Sequence, residues 1–299
     1  DKELLELVKK RVAGLEILRK TLGDKTIDFH QHGGNELYFS PSEKRVDQIN
    51  RFNKLLKPIF KKQVFFFKNN FIENFGFSKQ HIESLIHCPF EGQINTGKTI
   101  YSLQNKVKEL GGALYTNTNV DKIITGGKRN RVIVKNNQNE IHFESKFLAI
   151  CTNAFAKKWF PKEDINPGRG MVLITKPIKN LKIKGCFHYD KGFNYFRNIN
   201  QRIMIGGGRN IDFRKEETTQ HGINSKIKKK LIHDLEDFII PNQKFQIDME
   251  WSGIMAFGKT KMPIVKSLSE GVAIGVRIGG MGMAIGSIVG KKTYEHLNT

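Results

Sequence analysis

Apolar residues at Leu4, Leu5, Val8, Val12, Leu15 and Leu18 recur at three- and four-residue spacing, which predicts an amphipathic helix over residues 1–22, stopped by Gly23. Short strands are expected at Ile27–Phe29 and Glu36–Phe39 around Gly33-Gly34, then a helix over Ser42–Phe60. Val64–Phe77 is dense in Phe, and such large apolar side chains belong in packing before cofactor contact. A helix over Ile94–Leu110, closed by Gly111-Gly112, leads into short β runs at Ala113–Tyr115, Thr118–Ile124, Arg131–Val134 and Glu140–Glu144. Turns are expected at Gly126-Gly127 and Asn136–Asn139. Lys146–Cys151 is largely apolar, as a strand covered on both faces should be.

Beyond Gly170 the pattern alternates. Strands are predicted at Met171–Thr175, Cys186–Tyr189, Phe193–Arg197 and Arg202–Ile205, forming an antiparallel sheet with a helix over Ile223–Phe238 against it. Phe245–Trp251 and Val272–Ile278 read as further strands, the second running through a Gly-rich turn into a helix over Ala284–Leu297. The reading is a mixed α/β (α+β) chain: an α/β domain with a β-meander, interwoven with an antiparallel-sheet domain.

Composition changes this picture little. The chain has 299 residues, 38% of them hydrophobic, and no apolar run approaches the roughly 20 residues that span a bilayer. No secretory signal pattern opens the sequence, and the three cysteines, Cys88, Cys151 and Cys186, form no close pair, so a cytoplasmic compartment is expected. The net charge of +21 raises nucleic acid as a partner, but the lysines are scattered along the chain without a sustained block interleaved with aromatics, which argues against it.

Few segments carry chemistry. In Gly275–Gly286 a strand runs into glycines that open a helix, so backbone can approach a ligand closely and the helix N-terminus can face an electron-rich atom. A tight packing turn explains the same residues equally well. Gly206-Gly207-Gly208 lacks the Lys and Ser/Thr of a phosphate loop and reads as a strand end. His30 and His32 have no third ligand in reach of the pattern, so no metal is expected. Ser102 and Ser252 lack the setting of a hydrolase nucleophile. Tyr195 and Arg197 alternate onto one strand face, where they can line a pocket or sit as a surface pair.

Seven segments occur in the order of one family. Ile27–Phe39 (IDFHQHGGNELYF), Glu91–Ile123, Phe147–Phe155 (FLAICTNAF), Pro167–Thr175 (PGRGMVLIT), Gly192–Arg209, Trp251–Val265 and Arg277–Gly286 (RIGGMGMAIG) resemble FAD-dependent amine oxidoreductases of the D-amino-acid oxidase and glycine oxidase type. The resemblance implies non-covalent FAD, with Val120 contacting adenine through its backbone and Thr152-Asn153 beside the pyrophosphate and ribose. It implies Gly279, Gly280, Gly282 and Met283 near the flavin edge with Pro263-Ile264 beside them, and Tyr195 and Arg197 on the substrate side. Implied domains are 1–26, 91–157 and 251–299 for FAD, and 27–90 and 158–250 for substrate.

The implied reaction removes a hydride from a C–H beside an amine nitrogen (amino acid, N-methyl amine or polyamine derivative) to flavin N5. Oxygen or a redox partner then takes the electrons. The alternative is a catalytically inactive basic protein of the same fold that contacts nucleic acid or an acidic partner. Several departures stand out. The family's opening strand–GxGxxG–helix unit is absent, which reads as an N-terminal truncation. Met255 stands where amino-acid oxidases carry a carboxylate-binding arginine. Ala284 and Met204 stand where the sarcosine-oxidase branch carries lysines, and Arg169, Arg197 or Arg277 are left to pair with a carboxylate.

Overall fold

A computed structural model describes residues 1–136 and 139–297; the centre of the turn expected at Asn136–Asn139 lies outside the described residues. In chain order, α1 (Lys2–Leu22) is followed by β1 (Gly34–Tyr38), α2 (Val46–Phe60), β2 (Phe66–Phe67), α3 (Asn70–Phe75), β3 (Ser84–Cys88) and α4 (Thr96–Glu109). Next come β4 (Val120–Ile124), β5 (Asn130–Asn136), β6 (Asn139–Ser145), β7 (Leu148–Ile150) and β8 (Asn166–Thr175). Then follow β9 (Cys186–Tyr189), β10 (Asn194–Ile199), β11 (Arg202–Gly207), α5 (Phe213–Glu216) and α6 (Ser225–Asp234). The last elements are β12 (Ile247–Phe257), β13 (Ile264–Ser269), β14 (Val272–Val276) and α7 (Gly282–Glu295).

Several expectations shift for local reasons. Ile27 is buried but sits in a turn, with Asp28 at φ 49°, and its carbonyl accepts from Asn95 N. Ala113–Tyr115 forms no strand; Leu114 and Tyr115 are exposed and pair with nothing in a sheet. Asn95 and Asn224 begin α4 and α6 because each side chain accepts a backbone N–H of the first turn, at 3.0 Å in both cases. The helix expected over Ser42–Phe60 opens as a 3-10 turn at Ser42–Arg45, and that over Ile223–Phe238 continues past α6 as a π turn at Leu235–Ile239. Strands β3 and β13 were not expected; β3 is covered on both faces and shows no alternation.

The chain divides into two compact units. Unit 1 comprises Asp1, 29–94 and 168–254; unit 2 comprises 2–28, 95–167 and 255–299. The large sheet has eight strands in the order β12-β8-β11-β10-β9-β1-β3-β2, with β1 parallel to β9 and the pairs from β8 to β9 and from β1 to β2 antiparallel. One face of this sheet is the core of unit 1: Leu37, Leu85, Phe187, Phe196, Ile203 and Ile205 are buried there with Leu231 and Leu235 of the α6 segment. Phe187 and Phe196 stack at 4.7 Å between ring centroids. The opposite face follows from the same period of two and carries Glu36, Tyr38, Cys186, His188, Tyr195, Arg197 and Met204, all half-buried.

Unit 2 holds the meander β4-β5-β6, the small sheet β13-β14-β7, and the packed helices α1 and α7. Helix α1 approaches α7 closely at Gly14. A Cβ on Gly14 would stand 2.2 Å from Ala284 O, and Ser287 Oγ donates to Gly14 O. Backbone cannot yield as a side-chain tip can, so Gly14→Val is expected to cost at least about 1–3 kcal/mol as overpacking. A fall in Tm of several degrees with unchanged circular dichroism at low temperature is the result to look for.

Candidate functional site

In unit 2, β7 and β14 run parallel in register, Val272 opposite Leu148 and Ile274 opposite Ile150. Their carboxyl ends therefore emerge side by side, the place where parallel α/β sheets present backbone to a ligand. Ile150 is buried, whereas Cys151 and Thr152 immediately after it are exposed. Asn153, at φ 48°, turns its Oδ1 back to accept from Arg277 N at 3.0 Å and Ile278 N at 3.3 Å. This one side chain ties the end of β7 to the loop after β14. The Val120 region joins through the following turn: Lys158 Nζ donates to Val120 O and Trp159 Nε1 to Asp121 O, both at 3.4 Å. Val120, Thr152, Asn153 and the 277–283 loop thus all lie in unit 2, linked through these contacts.

The glycines of that loop divide by role. Gly275 is a packing glycine, since a Cβ there would meet Thr293 Oγ1 at 2.1 Å. Gly279 and Gly280 are not: a Cβ would find nothing nearer than Ala256 O at 4.0 Å and Met255 Sδ at 3.9 Å. Gly279 takes φ 55° and its N–H donates to Ala256 O at 3.0 Å, which anchors the turn. Open space in front of bare backbone, beside the amino end of a 14-residue helix whose N-cap Met281 makes no side-chain cap, fits a flat, electron-rich group. The residues present therefore fit an FAD edge. Gly282 is tighter, 3.2 Å from Ile278 Cδ1, and Met283 follows in the first turn of α7. Ile264 pairs with Val276, which brings Pro263-Ile264 against the strand end.

In unit 1 the polar face of the large sheet forms two lateral rows. Glu36, His188, Tyr195, Gly206 and Val172 are successive cross-strand neighbours, and so are Gly34, Cys186, Arg197, Met204 and Ile174. Tyr195 lies across Gly206, whose added Cβ would be 2.7 Å from the Tyr195 hydroxyl, so a side chain at 206 would displace the ring. Burial raises the Tyr195 hydroxyl pKa and lowers that of the Arg197 guanidinium. Glu91 folds its carboxylate over Gly34 on this face. Among the polar side chains of these rows, Tyr195 and Arg197 stand out in the sequence. Glu36, Glu91 and His188 were missed, although the alternation in Asn35–Tyr38 already aimed Glu36 and Tyr38 to one side.

The three arginines left open for a carboxylate separate clearly. Arg169 makes a two-pronged contact with the buried Glu216, through Nε and Nη2 at 2.9 Å each. Arg277, at φ 62°, donates to Met262 O, Thr260 Oγ1 and Asp164, riveting the loop before β13. Both are committed to structure, which corrects the expectation that either could bind substrate. Arg197 donates Nη1 to Ile94 O at 2.7 Å, while its Nε is buried without a partner among the described residues. His30 and His32 stack at 5.3 Å between ring centroids. Two surface depressions of unit 1, one around Asn69 and Lys79 and one around Lys179 and Gln201, contain none of these side chains.

Burial first and Glu91 second push the Glu36 carboxyl from its ordinary 4.5 up to about 7, against a smaller opposing pull from Arg45. A carboxyl raised by folding binds its proton more tightly in the folded state. Its contribution is present in full below 4.5 and is lost as pH rises through about 7. Glu36→Gln is therefore expected to raise Tm at pH 8 and to leave it unchanged at pH 4, which thermal melts at both values would check.

Known proteins share this fold over most of the chain. The family profile described as DAO, FAD dependent oxidoreductase, matches residues 1–296. No curated protein matches the chain. Among solved structures, L-proline dehydrogenase from P. horikoshii is similar with a TM-score of 0.76 at 18% identity, over 96% of this chain and 78% of that one. Glycine oxidase from Geobacillus kaustophilus gives 0.78 at 15%, over 99% and 80%. Iminodiacetate oxidase from Chelativorans sp. BNC1 gives 0.74 at 14%, over 98% and 79%. At these identities the likeness shows the fold.

Proposed function

Because the chain belongs to the DAO family of FAD-dependent oxidoreductases, we propose that it oxidises the C–H bond beside the nitrogen of a small amine, most simply an amino acid. FAD, when bound, supplies the hydride-accepting centre at N5. Unit 2 is the part that holds it, through Val120, Thr152, Asn153, Pro263-Ile264, Gly279, Gly280, Gly282 and Met283. Among the described residues no helix is long and apolar enough to cross a membrane.

Unit 1 is the part that orients substrate. The observation that carries this assignment is Arg197: its Nε is buried and unpartnered on a polar sheet face, one strand position from Tyr195. A buried guanidinium N–H without an acceptor costs free energy, and a ligand carboxylate would remove that cost. Tyr195, aligned beside it, would fix the direction from which the amine is presented. Burial also favours the neutral amine over the ammonium, and only the neutral form releases hydride from the adjacent carbon. Met204, the cross-strand neighbour of Arg197, supports an acceptor other than oxygen, because the lysine that assists oxygen in part of the family is missing there.

The direct test is to supply FAD and record the visible spectrum. A yellow protein that bleaches anaerobically with an amino acid, and then releases ammonia as the imine hydrolyses, supports the reading. Dye reduction well in excess of peroxide release would support a dehydrogenase. A chain that stays colourless and binds acidic polymers with a steep salt dependence would favour the basic binding protein instead.

A further inference from the structure

We propose that the preferred substrates are dibasic amino acids of the lysine and ornithine kind, whose distal ammonium is held by Glu36 and Glu91 while Arg197 holds the carboxylate. This rests on the assignment of the polar face of unit 1 as the substrate face.

The placement of charge on that face is the starting point. Glu91 Oε2 lies over Gly34, close enough that a Cβ on Gly34 would stand 2.0 Å from it. Gly34 is opposite Cys186, and Cys186 is opposite Arg197. Two strand spacings of about 4.8 Å therefore separate the carboxylate end from the guanidinium end, roughly 10 Å across the sheet. Glu36 is two residues along β1 from Gly34, over which Glu91 lies, with His188 and then Tyr195 opposite it in the adjoining row. The acidic end on β1 and the phenol and guanidinium on β10 thus flank β9, which carries His188 and Cys186 between them.

Neither carboxylate enters an ion pair or side-chain hydrogen bond among the described residues. That is unusual for a chain with 50 Lys and Arg against 29 Asp and Glu. Arg45, whose charge reaches Glu36, spends its guanidinium on the Tyr38 ring at 3.5 Å and donates to Ser40 Oγ. Burial first, and repulsion from Glu91 second, hold the Glu36 carboxyl in its neutral form despite a smaller opposing pull from Arg45. At the far end Arg197 Nε is buried and equally unanswered. A cation at one end and an anion at the other, joined by a short methylene chain, would satisfy both sets of groups together. A plain aliphatic amino acid would answer Arg197 and leave the two acids desolvated beside apolar surface.

The experiment is isothermal titration calorimetry of the full chain as purified, with lysine and with 2-aminoheptanoate, its uncharged isostere. Lysine is expected to bind tighter by about tenfold to a hundredfold, the range for a charged hydrogen bond. The double variant Glu36→Gln, Glu91→Gln should bring that ratio close to one, by weakening lysine and relieving the desolvation that 2-aminoheptanoate imposes on the two acids. Gly34→Ala, which pushes the Glu91 carboxylate aside and changes no charge, should reduce the ratio on its own. Equal affinities for the two ligands in the unmodified chain, or a ratio indifferent to these variants, would overturn the inference and leave the substrate face standing. Failure of both ligands to bind would overturn the substrate face, and this inference with it.

Discussion

Arg197→Ala is expected to weaken binding of an amino-acid substrate by at least about thirtyfold. Truncating one partner of a buried charge pair costs about 2–5 kcal/mol, and 1.4 kcal/mol is a tenfold change. The loss should appear in KM for amino acids and be absent for an amine that carries no carboxylate. Stability should fall by only about 1 kcal/mol, because the visible loss is one hydrogen bond to Ile94 O. Arg197→Lys should recover little, since an ammonium lacks the planar fork that matches a carboxylate. An equal loss for amines with and without the carboxylate would mean that Arg197 acts only on the packing of the sheet.

Gly280→Leu is expected to abolish tight FAD binding, weakening it by about a hundredfold or more, while the protein without cofactor melts as before. The contrast follows from what surrounds this glycine. A Cβ at 280 has nothing nearer than Met255 Sδ at 3.9 Å, and Gly280 is not among the residues of positive φ, so the fold accepts a side chain there. A ligand seated against the backbone would not. Excluding a flat ring system from its contact surface forfeits several kcal/mol of burial. Titration by quenching of flavin fluorescence reads the affinity directly, without substrate or turnover. Gly279→Ala is a different perturbation: φ 55° at that residue adds roughly 1–2 kcal/mol of backbone strain, so its melt should shift too. An unchanged FAD affinity in Gly280→Leu would place the cofactor somewhere other than this loop.

Elements with strong local signals were legible in the sequence. The leucine and valine period of α1, the alternation of β9 and β10, and the glycines before α7 each follow from neighbours within a few residues. Strand β3 was not legible, because both of its faces are covered and its residues lose the alternation that marks a half-exposed strand. Strand β13 carries no strand signal of its own, since three of its six residues are polar and only pairing with β14 makes it extended. Ile27 was assigned to a strand on hydrophobicity alone; it is buried as the plug of a turn.

The candidate site shows the same division. Glycines at 279 and 280, Tyr195 and Arg197 could be named from sequence because their residue types and spacing are unusual in themselves, and the order of seven segments pointed to the family. What the sequence could not contain is which side chains already have partners. Arg169, Arg197 and Arg277 are equivalent on paper; only the folded chain shows that Glu216 occupies the first and Asp164 the third. Glu36 and Glu91 are 55 positions apart, and the antiparallel pairing of β1 with β3 is what sets them side by side. Local patterning fixes the elements because backbone conformation responds to near neighbours. Charge pairing is settled by contacts between distant segments, and those exist only once the sheet has closed.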